Sequence, residues 1–151
     1  MVEKIYMDWK MFDEDIEDFM GYLTTHKFKE DAVIIALKRG GFATSAALSN
    51  KLNIPVSVVS FQTRDNGDSE PEFLEPALIK AATKIIIPDD IYDTGLTVET
   101  LVKRLVSEYN VDINNIVGLF HYKTDEIYKT ALQTYRCIRP NEGKWIVMPW
   151  E

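Results

Sequence analysis

The sequence predicts an α/β fold: a parallel, twisted sheet flanked by helices. Three observations carry that expectation. Short, mainly apolar runs recur at Ala32–Leu37, Lys84–Ile87 and Ile116–Phe120, the pattern of strands buried on both faces. Between them lie stretches whose apolar residues repeat at helical spacing. Strands that alternate with helices are joined by crossovers, and crossovers make neighbouring strands parallel.

Taken in order, Phe12, Ile16, Phe19, Met20 and Leu23 mark a first helix, and the acidic trio Asp13, Glu14 and Asp15 is expected at its start, where the dipole favours negative charge. Ala32–Leu37 is the first buried strand, broken by Gly40-Gly41, and Ala43–Leu52 is small and helical in character. Pro55–Phe61 reads as a second strand. Gln62–Pro71 (QTRDNGDSEP) holds Asn66-Gly67 and almost nothing apolar; a polar stretch of about ten residues is either a solvated connection or a mobile functional loop. Leu74–Ala82 stays unassigned because Pro76 interrupts it. Lys84–Ile87 is a buried strand that runs into Pro88-Asp89-Asp90-Ile91-Tyr92-Asp93-Thr94-Gly95. A helix follows, with Val98, Leu101, Val102, Leu105, Val106 and Tyr109 on one face, then the strand Ile116–Phe120 and a last strand near Trp145–Met148.

At 151 residues the chain is long enough for one domain, 1–151. Hydrophobic residues make up 46%, which supplies a real core and excludes a disordered chain. With 17 Lys+Arg against 24 Asp+Glu the net charge is −7, which argues against coating nucleic acid. An anionic ligand must then be held locally, by backbone N–H groups, a few cations or a metal. Cys137 stands alone and cannot form an internal disulfide; with only His26 and His121 beside it, the composition argues against a four-ligand zinc site. Both histidines are read as structural and Cys137 as a core residue; His121-Tyr122, after the fourth strand, also stands where a pocket lining would be. No apolar run approaches the roughly 20 residues of a membrane span, and the first residues do not read as a signal peptide. The expectation is a soluble, cytoplasmic protein with no membrane partner.

In parallel sheets ligands bind beyond the carboxyl ends of the strands. There, Asp89, Asp90 and Asp93 lead into Thr94-Gly95-Leu96-Thr97 and a helix. Free N–H groups and the dipole at a helix start make an anion site, Gly95 allows close backbone approach, and the two threonine hydroxyls donate. Carboxylates do not bind phosphate; they accept from hydroxyls or hold water on a metal. Acids beside an anion cradle suit one ligand that carries phosphate, free hydroxyls and a metal, as a sugar phosphate does. The competing reading has Asp93 as a mere N-cap and Asp89 and Asp90 in solvent. Neither G-x-x-x-x-G-K-[ST] nor G-x-G-x-x-G is present, which argues against an ordinary ATPase or dinucleotide oxidoreductase.

The run Ile85-Ile86-Ile87-Pro88-Asp89-Asp90-Ile91-Tyr92-Asp93-Thr94-Gly95-Leu96-Thr97 resembles the phosphoribosyl-pyrophosphate (PRPP) motif of the type I phosphoribosyltransferases, with Pro88 where the family usually has an apolar residue. Leu37-Lys38-Arg39-Gly40-Gly41 is similar to that family's pyrophosphate loop, and residues 62–71 fall where it has a flexible loop that closes over the reaction. Lys123 and the ending Lys144-Trp145-Ile146-Val147-Met148-Pro149-Trp150-Glu151 resemble the 6-oxopurine branch, the hypoxanthine, guanine and xanthine phosphoribosyltransferases.

The resemblance implies a type I phosphoribosyltransferase-like core with a small hood from the terminal segments. It implies transfer of 5-phosphoribosyl from PRPP to N9 of a 6-oxopurine in purine salvage, with Mg²⁺ as cofactor and release of pyrophosphate. It implies that Lys38, Arg39, Gly40 and Gly41 receive the pyrophosphate, that Asp89 and Asp90 hold the ribose hydroxyls, and that Asp93, Thr94, Gly95, Leu96 and Thr97 cradle the 5-phosphate. Asp93 would be the catalytic base. Lys123 would donate to the purine 6-oxygen, Trp145 would stack on the ring and the Ile146 backbone would meet its edge. Asp89 and Glu151 would contact metal. A homodimer or homotetramer follows from the same resemblance. Two other readings stand beside it: transfer to adenine, orotate or uracil, and a regulator that senses PRPP or a nucleotide without turnover.

Overall fold

The computed structural model describes residues 2–63, 69–124 and 132–151. In chain order it runs β1 (Lys4–Tyr6), α1 (Trp9–Thr25), β2 (Ala32–Leu37), α2 (Phe42–Leu52), β3 (Val56–Thr63), β4 (Ser69–Phe73), α3 (Pro76–Ala81), β5 (Lys84–Tyr92), α4 (Leu96–Tyr109), β6 (Ile116–Lys123), β7 (Thr134–Pro140) and β8 (Trp145–Val147). The sheet order is β4-β3-β2-β5-β6-β7, with every pairing parallel except the β3–β4 hairpin. Among the described residues no helix is long and apolar enough to cross a membrane.

Alternation along the buried strands builds two cores, because successive side chains of a strand point to opposite faces. Ile34, Ile86, Val117 and Leu119 pack with Phe12, Phe19 and Leu23 of α1 and Leu48 of α2. Val33, Ile35, Ile85, Ile87 and Ile116 pack on the other face with Ile79 of α3 and Leu101, Val102 and Leu105 of α4. Both faces are covered, so these strands read as continuous apolar runs.

Several elements differ from the sequence expectation. Helix α1 starts a turn earlier than the acidic trio suggested: Asp8 caps it by accepting from the Met11 N–H at 2.8 Å. Asp15 is therefore not a dipole partner at the helix start but a buried residue on its core face. Pro76 opens α3 as its first residue, where its missing N–H costs nothing. The stretch read as a loop over 62–71 is shorter: Thr63 pairs with Ser69 and Phe61 with Pro71 in the β3–β4 hairpin. The rest of that loop, 64–68, lies outside the described residues.

Strand β5 continues through the acidic motif instead of stopping before Pro88. Proline is tolerated because β2 pairs with β5 only from Lys84 to Ile86, whereas β6 follows it to Tyr92. Beyond Ile86 no β2 carbonyl asks for the donor that Pro88 lacks. The terminal segments meet apart from the main sheet: β1 and β8 form a parallel pair, with Ile5 opposite Ile146.

Candidate active site

Two chain segments far apart in sequence touch at the carboxyl end of β2 and β5. The turn after β2 is held by the Gly41 N–H donating to the Leu37 carbonyl (3.0 Å) and the Phe42 N–H to the Arg39 carbonyl (3.2 Å), with a cis peptide between Lys38 and Arg39. This turn lies directly on the acids of β5. A Cβ at Gly40 would stand 2.7 Å from Asp90 Oδ1 and 2.8 Å from Asp89 Oδ1; at Gly41 it would stand 2.6 Å from the Pro88 carbonyl oxygen. Only glycine permits that approach.

Asp89 and Asp90 are half-buried side by side. Asp89 Oδ1 accepts from the Asp90 N–H at 2.9 Å and Asp90 Oδ1 from the Ile91 N–H at 2.8 Å. Burial, reinforced by the neighbouring Asp90 charge, pushes the Asp89 carboxyl well above the usual carboxylate range. A cleft of about 470 Å³ opens beside them, lined by Arg39, Gly40, Asp90, Trp150 and Glu151. The fold thus brings a guanidinium, two acids from distant segments and a glycine turn to one concavity.

Beyond β5, Gly95 takes a left-handed conformation (φ 83°) and opens α4 without a side-chain cap. The Leu96 N–H donates to Thr94 Oγ1 at 3.3 Å. Asp93 is not the N-cap, which removes the competing structural reading of that residue: it is exposed and accepts from Thr124 Oγ1 at 3.1 Å. The first turn of α4, Leu96 and Thr97 included, is accordingly a set of backbone donors with the helix dipole behind it.

Lys123 ends β6 with its side chain exposed and its carbonyl bound by the Asn141 N–H (2.9 Å). Trp145 starts β8 and is 63% exposed. Its N–H donates to the Glu3 carbonyl, while the Val147 carbonyl accepts from Met7. In a parallel pair such residues alternate, so the Ile146 N–H and C=O turn to the opposite edge of β8 while its side chain enters the core.

His121 is fully buried, not pocket-lining; Nδ1 and Nε2 lie 2.7 Å from Asp15 and from Thr44. His26 packs its ring on Tyr22, with centroids 4.2 Å apart. Cys137 is half-buried on β7, and burial pushes its thiol up to about 11 against the opposing charges of Lys123 and Arg136. Trp150 escaped the sequence reading: it lines the cleft and packs edge-on to Phe12. Its place beside Glu151 was the available signal. The Asp15–His121–Thr44 contacts had none, since they join three separate elements.

A family model described as a phosphoribosyl transferase domain matches residues 4–151. Among solved structures the chain is similar to a purine phosphoribosyltransferase from Pyrococcus horikoshii Ot3, 27% identical, covering 98% of this chain and 94% of that one with a TM-score of 0.73. It shares its fold with the xanthine-guanine-hypoxanthine phosphoribosyltransferase of Helicobacter pylori, at 16% identity, 99% and 94% coverage and a TM-score of 0.79. A curated orotate phosphoribosyltransferase from Levilactobacillus brevis is 25% identical over 108 residues, 72% of this chain and 50% of that protein. The chain spans about half the length of the curated relatives it matches.

Proposed function

The chain belongs to the phosphoribosyl transferase family, and from that premise we propose that it transfers 5-phosphoribosyl from PRPP to N9 of a 6-oxopurine, releasing pyrophosphate. The observation that carries this reading is the contact of the Gly40-Gly41 turn with Asp89 and Asp90 in a cleft shared with Arg39 and Glu151. It brings candidate diphosphate donors and candidate hydroxyl acceptors to one concavity.

Displacement at the sugar carbon builds positive charge on the ribose and negative charge on the leaving diphosphate. The turn N–H groups and Arg39 stabilise the second, and Asp89 and Asp90 hold the ribose hydroxyls and favour the first. Residues 93–97, the approach to α4 and its first two residues, anchor the 5-phosphate. Asp93 serves as base for the purine N7–H in this reading. Lys123, a donor only, selects a 6-oxo group over adenine's 6-amino group. Trp145 offers its exposed face for stacking, and Ile146 offers backbone to the purine edge.

The donor set fits Mg²⁺: Asp89, Asp90 and Glu151 would offer it hard carboxylate oxygens. When bound there, Mg²⁺ would neutralise charge on the diphosphate.

Nucleotide formation with PRPP and Mg²⁺ against guanine, xanthine, hypoxanthine, adenine, orotate and uracil tests the proposal. Product with 6-oxopurines alone supports it; product with orotate alone favours the second reading, to which the curated relatives point. PRPP binding without any product would make the chain a sensor. Asp93→Asn should slow single-turnover transfer by about 10²–10⁴-fold with PRPP affinity kept; undiminished turnover would remove Asp93 as the base.

A further inference from the structure

A chain of buried polar groups that the proposed chemistry does not use joins α2, β6 and α1. Thr44, His121 and Asp15 are 0%, 0% and 2% exposed. Asp15, a carboxylate, can only accept, so His121 Nδ1 carries the proton and donates to it at 2.7 Å. On the other side of the ring Nε2 lies 2.7 Å from the Thr44 hydroxyl, a hydrogen-bond distance. Asp15 also receives two bonds from Arg139, at 2.8 and 2.6 Å. Phe12 stacks on the imidazole at 5.5 Å and Phe19 meets it edge-on at 5.1 Å, which holds the ring in place.

The placement of these groups matters more than their number. Thr44 sits in the first turn of α2, three residues after Gly41. His121 lies two residues before Lys123, level with the acids, since β5 and β6 pair Asp89 with Phe120 and Ile91 with Tyr122. Arg139 lies two residues before Asn141, which binds the Lys123 carbonyl. An apolar filling would bury as well, but it would not set direction, and directed bonds do. The Gly40-Gly41 turn has no slack against Asp89 and Asp90, so any slip of α2 reaches the cleft.

Resting on the transferase reading above, we propose that Thr44, His121 and Asp15 are positioning residues that hold the pyrophosphate turn in register with the acids of β5. They touch no substrate; they act through the start of α2.

Calorimetry with Mg²⁺ and two separate probes tests this: pyrophosphate, which needs the α2 turn, and ribose 5-phosphate, which needs α4. Thr44→Val keeps shape and removes the hydroxyl. Its pyrophosphate Kd should rise about tenfold or more, as small misplacements do. Its ribose 5-phosphate Kd should stay within about twofold, and Thr44→Ser should restore wild-type pyrophosphate binding. Should Thr44→Val not fold, Thr44→Ala, which leaves room for a water at the imidazole, must show the same split. Unchanged pyrophosphate binding, or equal weakening of both probes, overturns the positioning role. Wild-type protein that binds neither probe overturns the transferase reading itself, and this inference with it.

Discussion

Replacing Gly41 by alanine adds one methyl group where the fold has no room for it. The new Cβ would stand 2.6 Å from the Pro88 carbonyl oxygen and 3.1 Å from both the nitrogen and the oxygen of Leu37. All three are backbone atoms, so no side chain can swing aside. Comfortable contact needs about 3.5 Å, so the turn must retreat from β5 by close to 1 Å. Overpacking of this kind costs about 1–3 kcal/mol. For a chain of this size each kcal/mol moves Tm by about 2–4 °C, giving a fall of about 2–12 °C. The same retreat lifts Gly40 off Asp89 and Asp90, so affinity for Mg–PRPP should drop about tenfold or more. Thermal unfolding and calorimetry read the two effects. Gly21→Ala is the control: it lies within α1, nothing approaches its Cβ position within 4 Å, and alanine should stabilise by about 0.5–1 kcal/mol. Gly41→Ala with wild-type Tm and wild-type PRPP affinity would refute the argument from close approach.

Three more outcomes are expected. Asp89 holds its proton above the ordinary carboxylate range, so in metal-free buffer its own contribution to stability is full below that range and is lost as pH rises through the raised value. Asp89→Asn should therefore raise Tm at pH 8 in EDTA while weakening Mg–PRPP binding, the gain in Tm fading toward pH 4; a lower Tm at pH 8 would contradict this. Cys137, with its thiol up at about 11, should carry about a hundredfold less thiolate at pH 8 than an ordinary cysteine and react slowly with a disulfide reagent. Its contribution to stability is full below the ordinary thiol value and is lost as pH rises through about 11; rapid labelling of the folded protein at pH 8 would count against it. Arg139→Ala strips two bonds from the buried Asp15 carboxylate and should destabilise by about 3–5 kcal/mol in urea unfolding. An unchanged midpoint would show that the ion pair is not needed.

The sequence alone was enough for the fold class, because Ala32–Leu37, Ile85–Ile87 and Ile116–Phe120 are apolar at every successive position but Gly118, and only strands covered on both faces require that. It singled out Asp89, Asp90 and residues 93–97 as one motif, since they are local in the chain, but it ended the strand before two acids that β5 in fact contains. It was not enough for β1, β4 and β7. These are edge or separate strands with mixed polar composition, Ser69-Glu70-Pro71-Glu72-Phe73 for one, and nothing in their pattern demands two buried faces.

Asp15 shows why the remainder had to wait for three dimensions. Read along the chain it is one of three acids near a helix start; in the fold it faces His121 and Arg139, more than a hundred residues away. The close seating of Gly40 and Gly41 on β5, and the cleft that Arg39 shares with Trp150 and Glu151, depend in the same way on sheet order and register. Periodicity and motif spacing report what a residue's neighbours along the chain require. Which distant side chains meet is decided only when strands pair, because that choice is set by the packing of all layers at once.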